Sequence, residues 1–167
     1  MNPTFHSHAL KAAKAGAEVI IHYWGKLDGY KQKSSLSDLV TVADQESEDA
    51  VINILKKEFP DHSFLAEESG LNEMSSEYMW IIDPLDGTTN FAHQHPVVAV
   101  SIALFHKGAP ILGIVFNPIT QELYEAEKGK GACLNNEKLT VSSVSDLTKS
   151  LLATGFAYDR LKTPETN

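Results

Sequence analysis

Asp83 and Asp86 stand three positions apart in the run Trp80-Ile-Ile-Asp83-Pro-Leu-Asp86-Gly87-Thr88-Thr89-Asn90-Phe91. An apolar, strand-like stretch leads into the first carboxylate. Pro84 constrains the turn between the two acids, and Gly87 permits a sharp change of direction after them. Both carboxylates can then face one cation, with the Leu85 carbonyl between them as a further oxygen ligand. Hard oxygen donors of this kind suit magnesium, which binds them at roughly 2.1 Å and keeps several waters. Two such cations roughly 3.5–4 Å apart bridge a phosphate, orient a water and stabilise a leaving oxygen. Gly87, Thr88 and Thr89 can open a short helix whose amides and positive dipole end favour phosphate oxygens. The competing reading is a plain surface turn. The buried strand expected just before it argues for a ligand, because carboxylates at the end of a core strand usually serve one.

Glu67-Glu68 also follows a short apolar run, Ser63-Phe-Leu-Ala66, so it can lie beside Asp83 in a sheet. There Glu67 can bind a metal and, with the Thr88 hydroxyl, take a proton from an attacking water. On its own an acidic pair is more often solvated surface, and its value here comes from matching the aspartate run. His93 and His95 follow the site, but the oxygen-rich surroundings suit magnesium better than a transition metal. A structural or rim role fits these two histidines, and His6 and His8 read as solvated.

Several elements must position these groups. Phe5, Ala9, Ala12, Ala13, Gly16, Ile20, Tyr23, Trp24 and Leu27 recur at helical spacing, which predicts an amphipathic helix from Pro3 to about Leu27, ended by Asp28-Gly29. Lys31 to Ser37 reads as a loop. Asp44 reads as the N-cap of a second helix with Val51, Ile54 and Leu55 on one stripe. Strands are expected over 63–66 and 79–82, with a polar connector over 70–77. From Val97 the pattern becomes strand, turn, strand: Val97 to His106, covered on both faces, then Ile111 to Phe116, Glu122 to Glu125, a short strand through Cys133, and Leu151 to Thr154. Two helices followed by a meander point to an α+β layered fold.

The 167 residues suffice for one domain with a core, and 43% hydrophobic with 22% charged residues is ordinary for a soluble globular protein. With 14 basic and 22 acidic residues the net charge is −8, which argues against a general binder of nucleic acid or anionic membrane. The single cysteine, Cys133, excludes an internal disulfide and reads as a buried strand residue in a reducing, cytoplasmic setting. No apolar run approaches the roughly 20 residues of a membrane span, and no signal peptide is visible.

These motifs resemble the inositol monophosphatase family, part of a lithium-sensitive, magnesium-dependent superfamily of sugar phosphatases. The resemblance rests on Asp-Leu-Val-Thr-Val-Ala-Asp44, Ala-Glu67-Glu68-Ser, the run from Trp80 to Phe91, Pro96-Val-Val-Ala-Val-Ser-Ile-Ala-Leu, Gly129-Lys-Gly-Ala and Leu151-Leu-Ala-Thr-Gly-Phe. It implies a layered α/β sandwich of the sugar-phosphatase type, incomplete at the C-terminus. It also implies that Glu67, Asp83, Asp86 and the Leu85 carbonyl are Mg2+ ligands. Glu67 and Thr88 are then catalytic, and Gly87, Thr88 and Thr89 hold the phosphate. Lys33 matches an active-site loop lysine, and Asp44 a nearby supporting acid. Sister families that act on adenosine 3′-phosphates read Gly-Thr-Lys-Glu-Phe where this chain has Gly87-Thr-Thr-Asn-Phe91, which favours an inositol phosphate or another small phosphorylated alcohol. A homodimer is common in the family. The later Trp-Asp motif that completes a second metal site in the family has no counterpart, because Trp24 precedes glycine and Trp80 precedes isoleucine. The expectation is therefore an N-terminal portion of a family member: residues 1–150 as a metal- and phosphate-binding domain and 151–167 as the start of a C-terminal half. The alternative is a weakly active or inactive module that binds metal or a partner.

Overall fold

The computed structural model of the chain describes residues 3–26, 30–32, 39–72 and 74–153. Helix α1 (Pro3–Tyr23) is followed by β1 (Tyr30–Gln32) and β2 (Leu39–Thr41), which pair antiparallel as a separate hairpin. Helix α2 (Val42–Glu58) leads into β3 (Ser63–Ala66), β4 (Gly70–Asn72), β5 (Tyr78–Asp86) and the short helix α3 (Thr88–Ala92). Then come β6 (Ala99–His106), β7 (Ala109–Asn117), β8 (Glu122–Glu127), β9 (Gly131–Leu134) and β10 (Glu137–Lys138). Strands β3 to β10 form one eight-stranded sheet in the order β10-β9-β8-β7-β6-β5-β3-β4, in which only β3 and β5 run parallel.

Helices α1 and α2 pack on each other and cover one face of the sheet. Phe5, Ala9, Ala12, Ala13, Ala17 and Ile20 of α1 are buried, one stripe at helical spacing. At Gly16 the two helices come so close that an added Cβ would lie 2.8 Å from Ser47 Oγ and 2.9 Å from Val51 Cγ2. Alternate strand residues complete this core: Phe64 on β3, Trp80 and Ile82 on β5, Val100, Ile102 and Leu104 on β6, and Leu112, Ile114 and Phe116 on β7. At the edge away from the aspartate run, His62 stacks between Phe59 (ring centroids 5.0 Å) and Tyr78 (4.8 Å), and accepts a hydrogen bond at Nδ1 from Trp80 Nε1 at 3.0 Å.

The opposite face of the sheet is only half-buried. Its register aligns Leu65, Ile81, Ala103, Gly113, Ala126 and Ala132 in one row across six strands. The both-faces covering expected for β6 is thus corrected: Ser101, Ala103 and Phe105 alternate with the buried residues and lie on this open side. Further corrections are local. The first helix ends at Tyr23, short of Leu27, and Leu27 to Gly29 lie outside the described residues. Asp44 is the third residue of α2 and is buried within it, so it is not the N-cap. The connector after Glu68 contains β4, an edge strand on β3. Leu151 to Ala153 have no regular structure, and Thr154 lies outside the described residues. Cys133 is half-buried. His6 and His8 are engaged rather than solvated: His6 Nε2 lies 2.7 Å from Glu125 Oε1, and His8 Nδ1 lies 2.8 Å from the Thr4 carbonyl.

Candidate active site

The parallel pair decides where the carboxylates meet. In a parallel pair both strands end on the same side, so the residues that follow β3 stand beside the C-terminal end of β5. Phe64, Leu65 and Ala66 pair with Trp80, Ile81 and Ile82, and the Glu67 amide continues the ladder by donating to the Ile82 carbonyl at 3.2 Å. Glu67 thereby reaches the level of Asp83.

Asp86 is brought to the same place by a bulge. Asp83 pairs with Ser101 and Asp86 with Ala99, so three steps on β5 oppose two on β6. In a regular strand, positions three apart face opposite sides of the sheet. The extra residue restores Asp86 to the side of Asp83. Pro84 sits inside this bulge, where a missing amide proton is tolerated. The Leu85 amide donates to Asp83 Oδ1 at 3.2 Å and holds the first carboxylate against its own turn.

Burial pushes the Asp83 carboxyl up to about 7 from 3.8, and the negative charges of Glu67 and Asp86 and a hydrogen bond with Glu67 add to the shift. The bond from the Leu85 amide opposes it. A carboxyl raised in this way beside two further acids marks a site that a cation would relieve. Glu67 and Asp86 are exposed, and among the described residues no three His, Cys, Asp or Glu side chains form a ready-made metal cluster. The donor set, all carboxylate oxygen, fits magnesium.

Gly87 turns the chain from β5 into α3. Its backbone is left-handed (φ 86°, ψ 37°), and an added Cβ would lie 2.7 Å from the Val97 carbonyl oxygen. Only glycine meets both conditions without strain. The turn places the N-terminus of α3, with Thr88 and Thr89, directly after Asp86. Thr88 Oγ1 lies 3.2 Å from Asp44 Oδ2 and 3.2 Å from the Leu85 carbonyl oxygen, and can donate to either. Asn90 Nδ2 donates to the Val97 carbonyl at 2.8 Å and closes the loop behind the site.

The structure thus gathers Glu67, Asp83, Leu85, Asp86, Gly87, Thr88 and Asp44 at one end of the sheet. Lys33 lies outside the described residues. His93 and His95 are exposed on the loop beyond α3. Two residues of the site were not anticipated, Ser47 and Glu48 of α2. Ser47 Oγ donates to the Pro84 carbonyl at 2.9 Å, and Glu48 accepts from the amides of Glu68 and Ser69. A signal for them existed: Asp44, Ser47 and Glu48 fall on the same helical stripe as Val51 and Leu55, where polar residues need a buried partner.

The sequence profile of the inositol monophosphatase family matches residues 2–167. An inositol-1-monophosphatase of Synechocystis sp. is 50% identical over 154 residues, which cover 92% of this chain and 53% of that protein. A putative Nus factor SuhB of Neisseria meningitidis is 43% identical over 158 residues, covering 93% of this chain and 60% of that protein. The solved structure of the inositol monophosphatase from Anabaena (Nostoc) sp. superposes with a TM-score of 0.84 at 45% identity, covering 97% of this chain and 59% of that one. The chain therefore spans about half to three fifths of the length of these relatives.

Proposed function

The chain belongs to the inositol monophosphatase family, and from that membership we propose that it is a magnesium-dependent phosphomonoesterase. Its substrate class is a small phosphorylated alcohol, myo-inositol 1-phosphate first among them, cleaved to the alcohol and phosphate. The observation that carries this reading is the convergence of Glu67, Asp83 and Asp86 beside the Thr88–Asp44 hydrogen bond at the start of α3. Glu67, Asp83, Asp86 and the Leu85 carbonyl would hold Mg2+. When bound, the ion supplies Lewis acidity and offsets phosphate charge. The chain's own groups do the rest. Thr88, donating to the Asp44 carboxylate, keeps its oxygen lone pairs for a water proton, and Glu67 accepts a proton from that same water. The amides at Gly87, Thr88 and Thr89 hold phosphate oxygens at the helix start. Residues 1–150 would form this metal- and phosphate-binding unit, with 151–167 leading into a further part.

Phosphate release from inositol 1-phosphate in the presence of Mg2+ tests the reading. Asp86→Asn should abolish release, and retained turnover in that variant refutes the metal assignment. The second reading, a metal-binding module with little turnover, draws support from the exposure of Glu67 and Asp86. Magnesium uptake without phosphate release would favour it.

A further inference from the structure

We infer that Glu48 is a positioning residue for Glu67. Glu48 is only 4% exposed, and its two carboxylate oxygens accept from two successive amides, Glu68 N at 2.7 Å (Oε2) and Ser69 N at 2.9 Å (Oε1). These amides belong to the turn that begins at Glu67. On its other side the Glu67 amide is tied to the Ile82 carbonyl. The Glu67 backbone is thus held between β5 before it and the Glu48 carboxylate after it. The Glu67 side chain is exposed and hydrogen-bonds Asp83, and the backbone that carries it sets where its carboxylate meets that partner.

A carboxylate is the one side-chain group that presents two acceptor oxygens at the spacing two adjacent amides require. Glutamine would set an NH2 group against one of them. The helix that supplies Glu48 also supplies Ser47 to the Pro84 carbonyl and Asp44 to Thr88. One rigid face of α2 therefore registers the Glu67 turn, the aspartate bulge and the start of α3 against one another. Partners that orient ligands in this way typically shift metal affinity about 10- to 100-fold when altered. In its metal arm this inference rests on the reading proposed above.

The test uses the 167-residue chain as wild type, Glu48→Gln, Glu48→Asp, Glu67→Gln and the Glu48→Gln/Glu67→Gln double variant. Amide hydrogen exchange followed by NMR reports the turn without metal, and calorimetric titration with Mg2+ reports the site. In Glu48→Gln, exchange at Glu68 and Ser69 should accelerate, and the Mg2+ dissociation constant should rise about 10- to 100-fold. In the Glu67→Gln background the same change should alter it less than about 2-fold, because the two residues act as one unit. Glu48→Asp keeps both acceptor oxygens, so it should retain part of the protection and serve if Glu48→Gln does not fold. Unchanged exchange at Glu68 and Ser69, or an undiminished effect of Glu48→Gln when Glu67 is already neutral, overturns the inference. If the wild-type chain takes up no Mg2+, the functional reading falls, and the exchange measurement still decides whether Glu48 holds the Glu67 turn.

Discussion

Replacing Asp83 with asparagine should stabilise the metal-free protein while removing its response to magnesium. Asparagine is the neutral isostere of the protonated acid. Its Oδ1 can still accept from the Leu85 amide, at 3.2 Å in the wild type, and its Nδ2 can donate towards Glu67. What the substitution removes is the cost of ionising a carboxylate held at about 7 instead of 3.8. At about 1.4 kcal/mol per pKa unit that cost approaches ~4 kcal/mol at full ionisation. Glu67 and Asp86 are exposed, so solvent screens their share, and we expect about 2 kcal/mol at pH 8. The sign follows from linkage. The folded state binds this proton more tightly than the unfolded chain, so this group's contribution to wild-type stability is fully present below 3.8 and is lost as pH rises through about 7. Asp83→Asn lacks that fall. Urea unfolding in a chelator, followed by circular dichroism, should show the variant more stable at pH 8, with the difference shrinking towards zero near pH 4. Added Mg2+ should stabilise the wild type alone. A variant that equals or falls below the wild type at pH 8 without metal, or a difference that persists unchanged to pH 4, would refute the reasoning.

Gly87→Ala should cost about 2–4 kcal/mol in urea unfolding, from the left-handed backbone and the 2.7 Å approach to the Val97 carbonyl. A cost below about 0.5 kcal/mol would mean that the turn adjusts freely. Burial lowers the His62 pKa from 6.5 and outweighs the charge of Asp61. Protonation would also break the hydrogen bond from Trp80 Nε1. Because the folded pKa is depressed, this contribution is present above 6.5 and is lost as pH falls below it. Melting temperatures in the Asp83→Asn background, where the opposing slope is absent, should therefore drop below about pH 6.5, and a flat profile there would count against it.

Much of this arrangement was legible in the residues. The helical spacing of Phe5, Ala9, Ala12, Ala13 and Ile20 located the covering helix, and the apolar runs before Glu67 and Asp83 located the two strands that carry the acids. The Asp83-Pro-Leu-Asp86-Gly87 spacing announced the site. What stayed hidden depends on pairing. Nothing local in Val97 to His106 says that one face is only half-buried among the described residues, since an alternating strand with small residues reads as apolar throughout. Asp44 looked like a cap because a short acidic residue before an apolar stripe usually is one. Its place inside α2 follows from β2 running directly into the helix. Glu48 was hidden for a related reason: its partners are backbone amides twenty and twenty-one residues away, and backbone amides have no signature in a sequence.

The bulge in β5 makes the site depend on a count as well as on composition. Asp83 and Asp86 share a side because one residue more lies on β5 than on β6 between the paired positions. A gene that lost a single codon between them, that of Pro84 or Leu85, would still encode every carboxylate discussed here. The strand would close into regular pairing with the two acids two positions apart and still on one side, but the bulge would be gone, and with it the turn in which the Leu85 amide holds Asp83 and the Leu85 carbonyl faces Thr88. For this protein the reading frame of the sheet is as heritable a part of the site as the acids themselves, and a one-residue deletion reaches it where a conservative substitution does not.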